Sequence, residues 1–163
     1  MVPGTWGLTC LQHNIIVGFV IPDFGPDGLL PHGRHAADDW GEVSRVFGFS
    51  QKRQQLLVGL LACLSNLREA GCVTAFLDGS FVTSKPEPGD FDLAYDPAGV
   101  NVGLLDPVIT MLQPPRTAQK IKYGGDILPD SFNGMTGVFI AFFQRTRDGG
   151  RKGIVVIDLR TLP

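Results

Sequence analysis

The apolar run Val73–Leu77 ends in Asp78-Gly79-Ser80-Phe81, and ten residues after Ser80 the chain reads Asp90-Phe91-Asp92. No other stretch constrains the fold as much. Val73–Leu77 reads as a buried strand, and Phe91–Tyr95 as a second strand, most simply antiparallel to the first and beside it. Asp90 and Asp92 stand two apart in apolar surroundings, so on a strand their carboxylates share one face. Such a pair repels unless a cation or a proton lies between the two groups. The Gly79-Ser80 pair, leaving a strand, offers backbone N–H groups and a hydroxyl at a helix N-terminus, an arrangement that suits a phosphate. A phosphate cradle beside a divalent-cation site is the equipment of phosphoryl or nucleotidyl transfer.

The rest of the chain supplies the frame. With 163 residues it forms one domain, 1–163, opened by an irregular N-terminal segment, 1–36. A short strand is predicted at Ile15–Ile21, stopped by Pro22, and the Gly- and Pro-rich stretch from Pro22 to Gly33 reads as loop. Asp38 or Asp39 caps a helix carrying Trp40, Val43, Val46 and Phe47, with Gly48 as its stop. Ser50 caps the clearest helix, where Leu56, Leu57, Leu60, Leu61, Leu64 and Leu67 fall on one stripe and Gly71 closes it. A short helix is expected at Leu104–Leu112, before Pro114-Pro115, while Arg116–Gly125 takes no assignment. Val138–Gln144 and Gly153–Leu159 read as strands of a hairpin turning at Asp148-Gly149. The sum is an α+β domain with a mixed sheet of four or five strands covered by helices.

Composition removes several classes. Hydrophobic content of 44% with 18% charged residues describes a compact globule. No apolar run approaches the roughly 20 residues that span a bilayer. No basic stretch followed by an apolar block opens the chain, so a cytoplasmic protein with no membrane association is expected. Cys10, Cys63 and Cys72 lack metal-ligand spacing and suit a reducing compartment, the last two as core residues. Residues 1–112 carry six Lys/Arg against twelve Asp/Glu, whereas 113–163 carry eight against four. Arg116, Lys120, Lys122, Arg145, Arg147, Arg151 and Lys152 therefore read either as a track for polyphosphate or nucleic acid or as solubilising loop charge. His32 and His35 lack the partners of a zinc set. No Gly-Lys-Ser/Thr phosphate loop and no Ser–His–Asp order is present.

Gly79-Ser80, nine residues, then Asp90-x-Asp92 resembles the signature of the polymerase-beta-like nucleotidyltransferase superfamily, which includes small bacterial enzymes of toxin–antitoxin and defence systems. The stretch from Leu30 to Leu159 also looks like an uncharacterised bacterial family assigned to it, through Leu30-Pro31-His32-Gly33-Arg34-His35, Leu77–Thr83, Tyr123-Gly124-Gly125-Asp126 and Lys152–Leu159. The resemblance implies a nucleotidyltransferase-like sheet and transfer of a nucleoside monophosphate from an NTP to a protein, RNA or small-molecule acceptor. It implies Mg²⁺ or Mn²⁺ held by Asp90, Asp92 and a third carboxylate on a neighbouring strand. Asp158 is the leading candidate for that third acid, because the β-branched run Ile154–Ile157 would bury it at a cost that a cation offsets; pairing with Arg160 at the strand's exit is its alternative. Asp126, behind a glycine pair, competes as third acid or nucleotide contact, with an ordinary turn as its alternative. Gly79 and Ser80 would hold phosphate, with Lys85 or Lys122 neutralising it.

Two departures accompany the resemblance. Pro86 and Pro88 limit any helix after Ser80 to one or two turns, and nothing after Leu159 could form a separate acceptor domain. The acceptor then docks on this domain, on a second copy in a homodimer, or on a partner such as a cognate toxin or antitoxin. The alternative function is a weakened or inactive nucleotidyltransferase fold that acts by binding a protein or nucleic acid.

Overall fold

The computed structural model of the protein describes residues 21–163, so the strand expected at Ile15–Ile21 lies, but for Ile21, outside the described residues, as does Cys10. The elements run β1 (Gly33–Ala36), α1 (Trp40–Phe47), α2 (Gln51–Glu69), β2 (Thr74–Asp78), β3 (Phe91–Tyr95), α3 (Thr117–Tyr123), β4 (Gly125–Pro129), the two-residue strands β5 (Ser131–Phe132) and β6 (Met135–Thr136), α4 (Val138–Phe143) and β7 (Gly153–Asp158). Five strands form one mixed sheet in the order β1-β7-β2-β3-β4. β2 lies antiparallel to β3 and to β7, while β1–β7 and β3–β4 are parallel pairs. This is the expected α+β class, at the upper strand number.

Local chemistry explains the helix ends. The Asp39 side chain accepts from Glu42 N at 2.8 Å and opens α1. Ser50 Oγ accepts from Arg53 N at 3.2 Å and opens α2. At the far end of α2, Gly71 takes φ +97°, Cys72 N donates to Leu67 O and Gly71 N to Arg68 O, so two carbonyls that the helix leaves unpaired are satisfied.

Alternation along the strands divides the core into two layers. Ala75, Leu77, Leu93, Tyr95, Ile127, Val155 and Ile157 pack toward α1 and α2, whose buried stripe includes Leu56, Leu60, Leu64 and Leu67. Phe76, Ala94 and Ile154 face the opposite way, against Ile140 and Phe143 of α4. Cys63 and Cys72 are buried, and burial pushes both thiols up, so they serve as core residues.

Three segments differ from expectation. Val138–Phe143 is helix, not the first arm of a hairpin. Every residue in it is apolar, so its pattern does not separate period 2 from period 3.6. The decision comes from Asp130, a buried carboxylate that accepts from Gly137 N at 3.0 Å and Phe139 N at 3.1 Å and caps the helix from outside it. The turn itself exists, with Gly149 N donating to Thr146 O, but it joins α4 to β7. Leu104–Leu112 forms turns rather than a helix: Asp106 Oδ1 accepts from Val108 N at 2.9 Å, an Asx turn that competes with helix. Finally, Gly33–Ala36, at the end of the segment expected to be irregular, pairs with β7, and His35 Nε2 meets Pro31 O at 2.7 Å.

The unassigned stretch becomes α3 and β4. Gln119 on α3 is fully buried and covers the outer edge of β4, accepting from Ile127 N at 2.8 Å and donating to Ile127 O at 3.1 Å. A side-chain amide here completes the backbone pairing of an edge strand.

Candidate functional site

Register brings the acids together. Asp78, the last residue of β2, stands opposite Asp92 on β3, and Asp92 in turn stands beside Asp126 on β4. Opposed residues project to the same face, here the face that α4 covers farther along the sheet. Asp90, two residues before Asp92, adds a fourth carboxylate at this sheet end. Three aspartates in adjacent register positions are destabilising among themselves, so their neighbours matter.

Three cations answer them. Lys152 Nζ lies 2.6 Å from Asp78 Oδ1, with the two side chains only 12% and 7% exposed. Lys120 Nζ lies 2.6 Å from Asp90 Oδ2 and 3.4 Å from Asp126 Oδ2, bridging the two acids. Arg116 Nε lies 3.3 Å from Asp126 Oδ1. Both of these last atoms are buried without a hydrogen-bond partner among the described residues. Asp92 has no ion pair among the described residues. Burial first, then the charges of Asp78, Asp90 and Asp126, push its carboxyl up to about 6. Burial likewise raises Asp78, against the pull of Lys152.

Gly79 sits under Asp92. Its φ of +83° is left-handed, and a Cβ there would come within 2.4 Å of Asp92 Oδ2. Glycine is therefore required twice, for the turn and for the approach. The chain then makes one 3₁₀ turn, Ser80–Val82, in place of an α-helix. That agrees with the limit set by Pro86 and Pro88, and it removes the helix dipole from the expected phosphate cradle, leaving only local N–H groups and the Ser80 hydroxyl.

The loop that carries Gly79 and Ser80 is anchored by Arg53, a residue the sequence reading passed over. Its guanidinium is fully buried. It donates to Phe81 O at 2.7 Å, Thr83 O at 2.6 Å and Lys85 O at 2.7 and 2.9 Å, with longer bonds to Phe47 O and Ser80 O. Burial lowers its pKa to about 10. A signal was present: Arg53 lies three and four residues before Leu56 and Leu57, on the same buried stripe of α2, and a cation there must meet acceptors.

Asp158 is not part of the group. It pairs with Thr74, at the opposite end of β2 from Asp78. Four residue-to-residue steps of strand separate the two ends, about 13 Å. Its carboxylate binds Arg160, with Nη2 to Oδ2 at 2.6 Å, and accepts from Arg160 N at 2.9 Å. The expectation that burial would demand a cation fails because the strand exits there. Asp126 occupies the neighbouring-strand position instead. The Lys85 side chain is exposed, and what that residue contributes is its carbonyl to Arg53. Lys122 reaches Asp106, which also accepts from Tyr123 OH at 2.7 Å and is pulled down to about 2, chiefly by the Lys122 bond.

A family model described as "Family of unknown function (DUF6932)" matches residues 22–158. The chain belongs to this family. No curated protein and no solved structure matches it. The DUF6932 span takes in Asp78, Gly79, Asp90, Asp92, Asp126, Arg53, Lys120 and Lys152, so the whole acid group falls inside it.

The donor chemistry of this DUF6932 site fits a hard divalent cation such as Mg²⁺ or Mn²⁺. It offers only oxygens, one carboxylate without an ion pair and one buried carboxylate oxygen without a hydrogen bond. Among the described residues, no three His, Cys, Asp or Glu side chains stand close enough to hold a metal as they are. Between Asp90 and Asp126 the bridging group is the Lys120 ammonium.

Proposed function

We propose that the protein is a divalent-cation-dependent nucleotidyltransferase that moves a nucleoside monophosphate from an NTP to an acceptor hydroxyl. The observation that carries this reading is the register of Asp92 between Asp78 and Asp126, with Asp90 two residues ahead and Gly79 directly beneath. Asp90, Asp92 and Asp126 would hold the cation, which supplies charge neutralisation for the polyphosphate and a lowered pKa for the acceptor hydroxyl. In the transfer, the acceptor oxygen forms a bond to the α-phosphorus and the bond to pyrophosphate breaks, its electron pair leaving with pyrophosphate. The acceptor's proton passes to a carboxylate of this group. Ser80 and the N–H groups of its turn would position phosphate oxygens, on a loop that Arg53 keeps from shifting. The resemblance of Gly79-Ser80…Asp90-x-Asp92 to the polymerase-beta-like superfamily supports the same chemistry and a protein, RNA or small-molecule acceptor.

One observation favours a second reading. Asp78, Asp90 and Asp126 already have Lys152, Lys120 and Arg116 as partners. A group so compensated stands without a metal, as it would in a nucleotidyltransferase fold that acts only by binding a partner. Incubating the protein with each α-labelled NTP, Mg²⁺, total RNA and cell extract separates the two. Transfer of label to RNA or protein, lost in Asp92→Asn, supports the enzyme. No transfer from any NTP favours the binding module.

A further inference from the structure

We propose that Lys120 is a displaceable internal counterion: its ammonium stands between Asp90 and Asp126 where a divalent cation would bind, and withdraws when one does. The inference rests on the reading above in needing a divalent cation at these acids.

The geometry points to Lys120 because one Nζ meets oxygens from two separate elements, Asp90 Oδ2 at 2.6 Å in the lead to β3 and Asp126 Oδ2 at 3.4 Å on β4. Bridging two carboxylates from separate segments is what a divalent ion does with such a pair. The two lysines of the site differ in freedom. Lys152 and Asp78 are held in the protein, 12% and 7% exposed, and breaking that pair would leave a buried charge. Lys120 and Asp90 are 39% and 37% exposed, so water can replace each for the other. The α3 backbone beneath Lys120 is fixed: Gly59 of α2 approaches the Tyr123 carbonyl so closely that a Cβ would fall 1.9 Å from it. Only the flexible side chain needs to move. Once displaced, the ammonium remains within a side chain's length of the acids, in reach of any polyphosphate that arrives with the cation. The arrangement explains how these acids share a sheet end without a metal and still accept one.

The test uses Mn²⁺ alone as probe, titrated by calorimetry or by the electron-paramagnetic-resonance signal of the free ion. The proteins are wild type, Lys120→Met, Lys120→Gln and Lys122→Met, the last removing the same charge from the same helix but away from the acids. Both Lys120 variants should bind Mn²⁺ at least about fivefold more tightly, about 1 kcal/mol, with Lys122→Met within about twofold of wild type. Without Mn²⁺ the Lys120 variants should melt below wild type, and saturating Mn²⁺ should close that gap. Mn²⁺ binding by wild type with equal or weaker binding by both Lys120 variants overturns the counterion role and leaves the nucleotidyltransferase reading intact. Equal tightening by Lys122→Met also overturns it, since general charge would then be the cause. No Mn²⁺ binding by any of the four proteins overturns the divalent-cation reading itself, and the inference with it.

Discussion

At Asp92 the fold keeps a carboxylate that it holds at a cost. Its pKa, pushed up to about 6, exceeds that of an aspartate in an unfolded chain, near 3.9. Between these values the folded state binds the proton more tightly, so this residue's contribution to stability falls as pH rises from about 4 to 6 and stays lost above that. Asp92→Asn removes the charge and the slope. Its unfolding free energy relative to wild type should therefore increase by on the order of 2 kcal/mol between pH 4 and 7, read by urea denaturation, and under the proposed function nucleotidyl transfer should drop at least about 100-fold. A mutant that gains stability as it loses activity marks a residue kept for chemistry. Arg53 shows the reverse. Arg53→Met leaves the carbonyls of Phe81, Thr83 and Lys85 without their donor, so stability should fall by about 3 kcal/mol or more. Amide exchange in 79–85 should quicken beyond what the global loss explains.

Elements decide which acids meet. The parallel pairing of β3 with β4 sets Asp126 beside Asp92, whereas the antiparallel pairing of β2 with β7 carries Asp158 to the other end. Under the proposed function, Asp126→Asn should accordingly lower transfer at least about 100-fold, and Asp158→Asn should leave it within about twofold while only loosening the turn at Leu159–Thr161. Equal losses in a transfer assay would show that this sheet end is not where the chemistry occurs. Helix α3 adds Lys120 to the site and Gln119 to the β4 edge, Arg116 joins from the residue just before the helix, and α3 packs closely on Gly59. Gly59→Ala would drive a methyl group into the Tyr123 carbonyl. Because backbone cannot swing aside as a side chain does, thermal denaturation should show a loss of about 2–3 kcal/mol, despite alanine's better helix propensity.

Across the whole molecule, the sheet has α1 and α2 on one face and α4 on part of the other, and the acids lie at the sheet end beyond α4. Among the described residues no helix is long and apolar enough to cross a membrane. Ligand binding at that end should be felt by the entire fold, since the acids sit on three adjacent strands. Mg²⁺ with a non-hydrolysable NTP at a hundred times its Kd should raise unfolding stability by about 2.7 kcal/mol, seen as a shift in melting temperature larger than either component produces alone. Of the seven basic residues that read either as a polyphosphate track or as solubilising loop charge, Arg116, Lys120, Lys122 and Lys152 each pair with a named aspartate. Sequence by itself determined α2 and its caps, β2, β3 and their antiparallel pairing, the Gly79 turn and the placing of Asp90 and Asp92 at one end of β3. Each of these rests on neighbours within a few residues, where periodicity and turn chemistry act. Tertiary structure alone decided that Asp126 and not Asp158 joins them, that the apolar run Val138–Phe143 coils under the Asp130 cap, and that Arg53 and Lys120 meet the residues they hold. Those outcomes depend on register between strands distant in the chain and on where a buried charge finds its acceptors, and a local pattern of residues carries neither.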